Sequence, residues 1–110
     1  MNVEEEFFVD SNELEWTEGV AGIKIKHLVS RASGPHARVI RMEPGMVVPR
    51  HRHPCCEIMY VLDGELQMNG DSYAAGACYF KSEKLLYGPL STTTGVTLLL
   101  FFDGDAKFMA

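Results

Sequence analysis

Several features that mark other classes of protein are scarce in this sequence of 110 residues. No apolar run approaches the roughly 20 residues that a membrane-spanning helix needs, and the acidic start at Glu4–Glu6 lacks the basic-then-apolar order of a signal peptide. Basic residues are also few, since ten Lys and Arg oppose fifteen Asp and Glu for a formal net charge of −5. An acidic surface repels phosphate backbones and anionic lipids, so we expect neither nucleic acid nor a membrane as a partner.

Cysteine is similarly scarce. The chain has three cysteines, of which Cys55 and Cys56 are adjacent. An odd number with two neighbours does not make a disulfide framework, so a reducing cytoplasm fits best. Hydrophobic residues make up 46% and charged residues 23% of the sequence, which is ordinary for a folded protein and speaks against disorder. At this length we expect one domain over residues 1–110, because the chain is too short for two independent cores.

Helical periodicity is almost absent, and short apolar runs are separated by turn residues instead. Asp63-Gly64 and Asn69-Gly70 are strong tight-turn signals because these residue types tolerate positive φ. Many short strands in one small domain predict an all-β sandwich or barrel. The predicted strands are Phe7–Val9, Ile23–Val29, Ala37–Met42, Val47–His53, Ile58–Leu62, Glu65–Met68, Ser72–Ala74, Ala77–Lys81, Leu85–Tyr87 and Val96–Phe102.

Two segments bear on how this barrel is covered. Residues 1–20 are acidic with embedded aromatic residues, among them Trp16, and we expect them to form an arm that packs on a barrel of residues 21–110. The run Val96–Phe102 is apolar on both faces, whereas a sheet in so small a protein has one inner face. The second apolar face therefore needs a cover. We predict a homodimer, and the arm alone is the alternative cover.

The segment from Gly45 to Gly64 holds the residues that carry chemistry. His51 and His53 lie two residues apart on a predicted strand, so their side chains project to the same face. The chain then turns, and Glu57 begins the next strand. Two imidazoles and one carboxylate can therefore converge inside the barrel, which suits divalent Fe, Mn, Ni or Zn and leaves coordination positions open. The alternative is an exposed, inert strand end at 50–53.

The same segment resembles the first motif of the cupin superfamily, Gly-x5-His-x-His-x3,4-Glu-x6-Gly. Every fixed position of that motif is met, in order, by Gly45, His51, His53, Glu57 and Gly64. The resemblance implies a jelly-roll barrel with a divalent transition metal in its mouth. It also implies dimers, which cupins frequently form by exchanging strands.

The second cupin motif is less complete. Relatives continue from a turn like the one at Gly76 to a histidine that is the fourth metal ligand, and that position is Tyr87 in this chain. A phenol there could coordinate the metal, donate a proton or hydrogen-bond a bound ligand. Alternatively, the ring fills the space of the missing imidazole, and metal is held weakly or not at all.

Further residues are predicted to surround this site. Arg38, on the preceding strand, could hold a carboxylate or enolate oxygen through paired N–H donors, and His36 either shares that face of the cavity or lies solvated at the strand end. Cys55 either brings a thiolate near the metal or packs beneath the turn. The predicted pocket residues are Cys55, Met59, Val61, His36, Phe80 and Phe102.

The first motif, together with the tail from Gly88 to Gly104, resembles small cupin dioxygenases that cleave acetylacetone. That resemblance implies a metal acting as a Lewis acid, which stabilises the enolate of a small enolisable ketone and brings O₂ to the activated carbon. Those relatives use three histidines, whereas this chain supplies two histidines and Glu57. The chain also resembles the metal-binding domain of anti-sigma factors, which implies a second possibility: a non-catalytic cupin that senses a ligand or metal and acts through a protein partner.

Overall fold

The computed structural model describes residues 5–110, in which β-strands dominate as the sequence predicts. Two short 3-10 turns, at Ser11–Glu13 and Val20–Gly22, are the helical elements of the described residues. None of the helical segments in this range has the length and apolar character needed to cross a bilayer. The strands are β1 Thr17–Glu18, β2 Lys24–Ser30, β3 His36–Met42, β4 Val47–Val48, β5 Glu57–Met68, β6 Asp71–Ala74, β7 Cys78–Lys81, β8 Leu90–Ser91 and β9 Val96–Phe102.

The strands form two antiparallel sheets that share β5. In the first sheet the order is β1-β2-β3-β9-β5, and β7 lies on the other side of β5. In the second sheet the later half of β5 pairs with β6 and, through Gln67, with β8, which in turn pairs with β4. The two sheets enclose one interior, which confirms the predicted all-β jelly-roll barrel.

β5 passes from one sheet to the other at Gly64. One extra residue, Leu62, is inserted opposite β9 between Val61 and Asp63, and such a β-bulge bends the strand. Gly64 follows with a φ of 81°, and a Cβ at this position would collide with the carbonyl oxygen of Gly95. The prediction of a tight turn at Asp63-Gly64 is therefore wrong. The glycine allows two backbones to approach closely, and the strand continues beyond it.

Other differences from the predicted strands have local causes. β4 is shorter than predicted because it ends before Pro49, which has no amide to donate to a ladder. The predicted strand Leu85–Tyr87 is reduced to a single bridge between Tyr87 and His51. The turn at Asn69-Gly70 is confirmed: both residues have positive φ, and they connect β5 to β6.

The acidic arm contacts the outer surface of the first sheet. Phe7–Val9 is exposed and forms no strand, which corrects the prediction made there. Further along, β1 pairs with β2, and Trp16 contacts two cations: the Lys26 ammonium lies 4.7 Å and the Arg41 guanidinium 4.8 Å from its ring centroid. Each cation–π contact is worth about 0.5–1 kcal/mol at an exposed site, so the pair holds this part of the arm against the sheet.

The hydrophobic core lies between the two sheets, and strands β5 and β9 cross its centre. Along the start of β5 and along β9, buried residues alternate with exposed or partly exposed ones, as expected when one face of a sheet is internal. The buried hydrophobic residues of the described chain are Ile23, Ile25, Ile40, Met42, Val48, Cys55, Met59, Val61, Leu66, Met68, Tyr87, Leu90, Val96, Leu98, Leu100 and Phe102.

Candidate metal centre

A cavity of about 220 Å³ lies inside the barrel, and five polar side chains converge on it. All five were singled out from the sequence: Arg38, His51, His53, Glu57 and Tyr87. The other lining side chains are hydrophobic, so the cavity is apolar with a few polar groups, as small-molecule sites usually are.

Backbone hydrogen bonds hold His51 and Tyr87 side by side. The His51 N–H donates to the Tyr87 carbonyl over 3.0 Å, and the Tyr87 N–H donates to the His51 carbonyl over 2.9 Å. Their ring centroids are 4.6 Å apart. The bridge thus brings the tyrosine that stands at the expected histidine position into the same cavity as the first candidate ligand.

The two histidines are oriented by carbonyl oxygens. Nδ1 of His51 lies 2.8 Å from the Pro49 carbonyl, and Nδ1 of His53 lies 3.0 Å from the carbonyls of both Ala106 and Lys107. Because a carbonyl only accepts, Nδ1 of each ring must carry the proton, which leaves the Nε2 lone pair free. Metal-binding histidines are commonly held in this way, with one ring nitrogen fixed by a second partner.

Glu57 is buried at the start of β5, with 1% of its surface exposed, and it faces His53. Its Oε1 lies 4.0 Å from Nε2 of His53, too far for a hydrogen bond, and neither carboxylate oxygen has a hydrogen-bond partner in the described chain. Two donor atoms that each lie about 2.1 Å from a zinc ion are at most about 4.2 Å apart, so this pair could share one cation.

The His51 ring completes this corner of the cavity, 4.9 Å from the His53 ring and nearly perpendicular to it. Within residues 5–110, no group of three or more His, Cys, Asp and Glu side chains forms a closed set of metal ligands. The side chains of His51, His53 and Glu57 therefore share one cavity, but their donor atoms do not converge on a single point.

Burial sets the protonation of these groups. It lowers the pKa of His53 to about 4, with a further contribution from His51, and it lowers the pKa of His51 itself. Burial raises the pKa of Glu57 to about 7, against the opposing effects of the Tyr87 hydroxyl, Lys81 and Arg38. Both imidazoles are therefore neutral near pH 7, while the carboxyl group lacks the compensation that a cation would supply.

Tyr87 is a neutral phenol in this environment. Its pKa is raised first by burial and then by the negative charge of Glu57. The hydroxyl lies close enough to lower the pKa of Glu57, although the pair does not meet hydrogen-bond geometry. Of the roles considered for Tyr87, donation of a proton or a hydrogen bond fits this protonation state.

A buried lysine, which the sequence analysis did not identify, lies beside the candidate ligands. Lys81 is 1% exposed and stands directly opposite Glu57 in the pairing of β7 with β5. Its Nζ lies 3.5 Å from the carbonyl oxygens of Cys55 and Ser82, and 5.2 Å from the Tyr87 ring centroid. The site therefore has a buried cationic side chain close to its carboxylate, in addition to the half-buried Arg38.

The register that buries Lys81 also places Phe80 elsewhere than predicted. Alternation along β7 turns Phe80 outward, where it pairs with Ile58 and is 63% exposed, so it is not a wall of the cavity. Cys78 shares that outward face and is exposed.

The other predicted pocket residues divide into two groups. Met59 and Phe102 line the cavity. Val61 is buried further along β5, and Cys55 is buried beside Gly104; neither lines the cavity, and burial raises the pKa of the Cys55 thiol. His36 lies half-buried at the end of β3, with Nδ1 3.3 Å from the Ser30 hydroxyl, and is also outside it.

The segment after β9 returns over the candidate ligands. Its backbone pairs with the strand end at Arg52, because Met109 and Arg52 exchange N–H···O bonds of 2.7 and 2.9 Å. Phe108 stacks on His51 with ring centroids 4.3 Å apart, and Phe108 and Ala106 both line the cavity. These contacts join residues 57 positions apart in the chain, and no periodic pattern in the sequence marks them.

The buried Glu57 predicts a pH-dependent stability for protein freed of metal with a chelator. Because the pKa is raised to about 7 in the folded state, its stabilising contribution is complete below the unfolded pKa and is lost as pH rises through 7. Glu57→Gln removes this titration. We therefore compare the free energy of unfolding of E57Q with that of wild type. The difference, E57Q minus wild type, should become more positive by about 3 kcal/mol between about pH 4 and about pH 8.

Urea unfolding at both pH values measures this difference. Glu43→Gln, at an exposed carboxylate, is the matched control and should show no comparable trend. An E57Q difference that is the same at low and high pH would contradict a raised pKa at Glu57.

Comparisons with known proteins agree on the architecture. The ChrR Cupin-like domain family matches residues 4–106, which is nearly the whole chain. No curated protein matches the sequence significantly.

Solved structures of cupins superpose on this chain. An RmlC-like cupin from Shewanella frigidimarina gives a TM-score of 0.76 at 23% identity, over 94% of each chain. An acetylacetone dioxygenase from Acinetobacter johnsonii gives 0.74 at 17% identity, over 100% of this chain and 80% of that one. The structure of Rhodobacter sphaeroides SigE with the anti-sigma ChrR gives 0.71 at 22% identity, over 84% of this chain and 50% of that one, so this chain spans half of that neighbour. Identities this low establish the fold alone, and it is the cupin fold that the first motif predicts.

Proposed function

This chain belongs to the ChrR cupin-like domain family, and we propose that it is a metal-dependent cupin acting on a small enolisable ketone or a related organic metabolite. The candidate metal ligands are His51, His53 and Glu57. Divalent Fe, Mn, Ni and Zn all suit two imidazoles and a carboxylate. Dioxygenase-like chemistry is the activity that we favour.

One observation carries the proposal: a buried carboxylate without a hydrogen-bond partner faces an imidazole whose Nε2 is free. A purely structural Glu57 in an apolar cavity would be costly, because a buried charge without a partner is strongly destabilising. The second nitrogen of each ring is already fixed by a carbonyl oxygen. A divalent cation would accept a lone pair from the free Nε2 and would pair with the carboxylate of Glu57.

The remaining cavity residues have roles that follow from their chemistry. A bound metal would supply a Lewis acid for a ketone oxygen. Tyr87, as a neutral phenol, donates a hydrogen bond or a proton to an oxygen of the ligand. Arg38 offers further N–H donors from the other side of the cavity, and walls such as Met59 and Phe102 exclude water from the reacting atoms.

Elemental analysis of protein isolated without added metal tests the proposal. We expect about one transition-metal ion per chain, as for a single-metal site. Oxygen consumption with β-diketones after Fe²⁺ loading then tests the dioxygenase-like activity. Protein that binds no transition metal, either as isolated or after loading, would rule out a metal-dependent function.

Replacement of Tyr87 with histidine tests whether this position corresponds to the missing fourth ligand. We expect Tyr87→His to tighten the apparent Kd for Zn²⁺ by about tenfold or more, the scale on which even outer partners of metal ligands change affinity. Tyr73→His adds an imidazole on the distant strand β6 and should leave the Kd unchanged. Competition with a chromophoric chelator measures both values, and an unchanged Kd for Tyr87→His would refute the second-motif alignment.

A second candidate function is a non-catalytic sensor that acts through a protein partner. The observation that favours it is an apolar patch on the outside of the first sheet, where Ile58 lies between Phe80 and Phe101 in the strand pairing, with Tyr60 and Leu62 further along β5. Each of these five side chains is at least 40% exposed. The anti-sigma ChrR was solved in complex with SigE, and its family is the one that this chain matches. Tight metal binding without turnover across a panel of ketones and keto acids would favour this function.

We propose that the same patch joins two copies of the chain. Ile58→Lys puts a charge at its centre, and we expect this variant to sediment as a monomer where the wild type sediments as a dimer. Val47→Lys, at an exposed apolar residue of β4 outside the patch, is the matched control and should remain dimeric. If wild type is monomeric across the micromolar range, the patch does not join two copies of the chain, and only a different partner could bind there.

We propose a cytoplasmic location for this protein. Cys55, Cys56 and Cys78 are all free, and free thiols suit a reducing environment.

A further inference from the structure

Arg38 is a half-buried cation that lines an apolar cavity without an ion-pair partner in the described chain. It lies on β3, where its backbone neighbours across the sheet are His27 and Leu100. Its side chain lines the cavity, and its Nε is buried without a hydrogen-bond partner. Within residues 5–110, no carboxylate oxygen comes within 4.0 Å of its guanidinium.

The guanidinium is held in the cavity by the ring of Phe102, with Cζ 5.0 Å from the ring centroid. A cation–π contact fixes the position of the group but leaves its N–H donors unused. Burial lowers the pKa of Arg38, yet an arginine stays charged in proteins. The cavity therefore presents a permanent positive charge with free donors.

The charges that face the cavity do not balance. Glu57 is the one carboxylate among the lining residues of the described chain. Two cationic side chains lie near that carboxylate: Arg38 lines the cavity, and the buried Lys81 stands opposite Glu57 in the strand pairing without lining it. A divalent metal on Glu57 would add two more positive charges. The occupied site would then have an excess of positive charge in a cavity lined mainly by apolar side chains, and an anionic ligand would offset it.

The position of Arg38 also fits a ligand that reaches from one side of the cavity to the other. β9 lies between β3 and β5 in the sheet, so Arg38 and Glu57 belong to strands roughly 10 Å apart. A ligand held at both places needs an oxygen donor near the histidines and an anionic group near Arg38.

We propose that the ligand of this cavity is a small carboxylate, with its anionic group paired to Arg38 and a second oxygen donor facing His51, His53 and Glu57. This inference rests on the proposed function and specifies its substrate class: a keto acid rather than a neutral diketone. Guanidinium and carboxylate form two parallel N–H···O bonds, a geometry that a neutral amide or ketone cannot match.

Acetoacetate and acetoacetamide are a suitable pair of probes, because they have the same size and keto group and differ in the charge of one end. We expect Zn²⁺-loaded wild type to bind acetoacetate roughly tenfold or more tightly than acetoacetamide in isothermal titration calorimetry. Arg38→Met should reduce this preference to less than about twofold. Arg41→Met, on the outer face of the same strand beside Trp16, is the matched control and should retain it.

Each result decides the matter. A wild type that binds both probes equally overturns the inference. An Arg38→Met protein that still prefers acetoacetate also overturns it, because the metal or Lys81 would then bind the carboxylate. If Arg38→Met does not fold, Arg38→Lys replaces it: this variant keeps the charge but loses the paired donors, and its preference should fall below that of wild type.

The metal measurement separates this inference from the proposed function. If the protein binds no Zn²⁺, the metal-dependent function fails, and the carboxylate preference is judged on chelator-treated protein, where Arg38 should still produce it. If Zn²⁺ binds at one site per chain without any preference for acetoacetate, the proposed function stands and the assignment of a carboxylate ligand fails.

Discussion

His53→Ala protein, isolated without added metal, is expected to contain less than about a tenth of the transition metal found in wild type. The substitution removes the imidazole whose Nε2 lies 4.0 Å from Oε1 of Glu57, and a site with two remaining donors holds a divalent ion poorly. His51→Ala should have a similar effect because the two rings are neighbours in one cavity. Elemental analysis by mass spectrometry, with protein concentration measured in parallel, gives the ratio.

His36→Ala is the matched control for this loss. His36 also follows a turn and lies on a strand that reaches the cavity, but its side chain contacts Ser30 outside it. We expect its metal content to equal that of wild type. Equal metal content in His53→Ala and wild type would mean that the metal is bound elsewhere, and the candidate centre would then have no support.

Gly64→Ala is expected to destabilise the protein by about 2–5 kcal/mol. At a φ of 81° an alanine costs about 1–2 kcal/mol, and the collision of its Cβ with the Gly95 carbonyl forces a backbone shift that adds about 1–3 kcal/mol. A domain of this size is stable by only about 5–15 kcal/mol, so much of the margin is lost. Urea unfolding followed by fluorescence of Trp16 measures the change.

Gly70→Ala separates the two contributions. Gly70 has nearly the same φ, 82°, but a Cβ there has no atom within 4 Å. We expect Gly70→Ala to lower the free energy of unfolding by about 1–2 kcal/mol, from the backbone conformation alone. If both variants lose the same amount, close backbone approach at Gly64 contributes nothing, and the bend in β5 does not depend on glycine there.

The sequence predicts the fold and much of the site because both follow from short-range patterns. Alternating apolar residues identify most of the strands, and the spacing of His51, His53 and Glu57 places three donors on one side of the chain. The same alternation puts Arg38 and His36 on one face of β3; Arg38 lines the cavity, whereas His36 lies outside it. Each of these predictions needs only the two-residue period of a strand, which gives the face to which each side chain projects.

The remaining features depend on pairing between distant strands. The inward position of Lys81 and the outward position of Phe80 follow from the register of β7 on β5, which a shift of one residue would exchange. The contacts of Phe108 with His51 depend on where the chain returns after β9. The bulge at Leu62 looks like a turn in the sequence, since a turn and a bend both use Asp and Gly.

Because one continuous strand, β5, contributes ladders to both sheets, opening of one sheet disturbs the strand on which the other is built. We therefore infer that the barrel melts in a single cooperative step. Amide hydrogens midway along β5 should exchange with solvent only through global opening, whereas those of the two-residue strands β1 and β4 should exchange through local fraying. Partners that are distant in sequence must also find one another before β5 is secured, which makes this a slow-folding topology for its length.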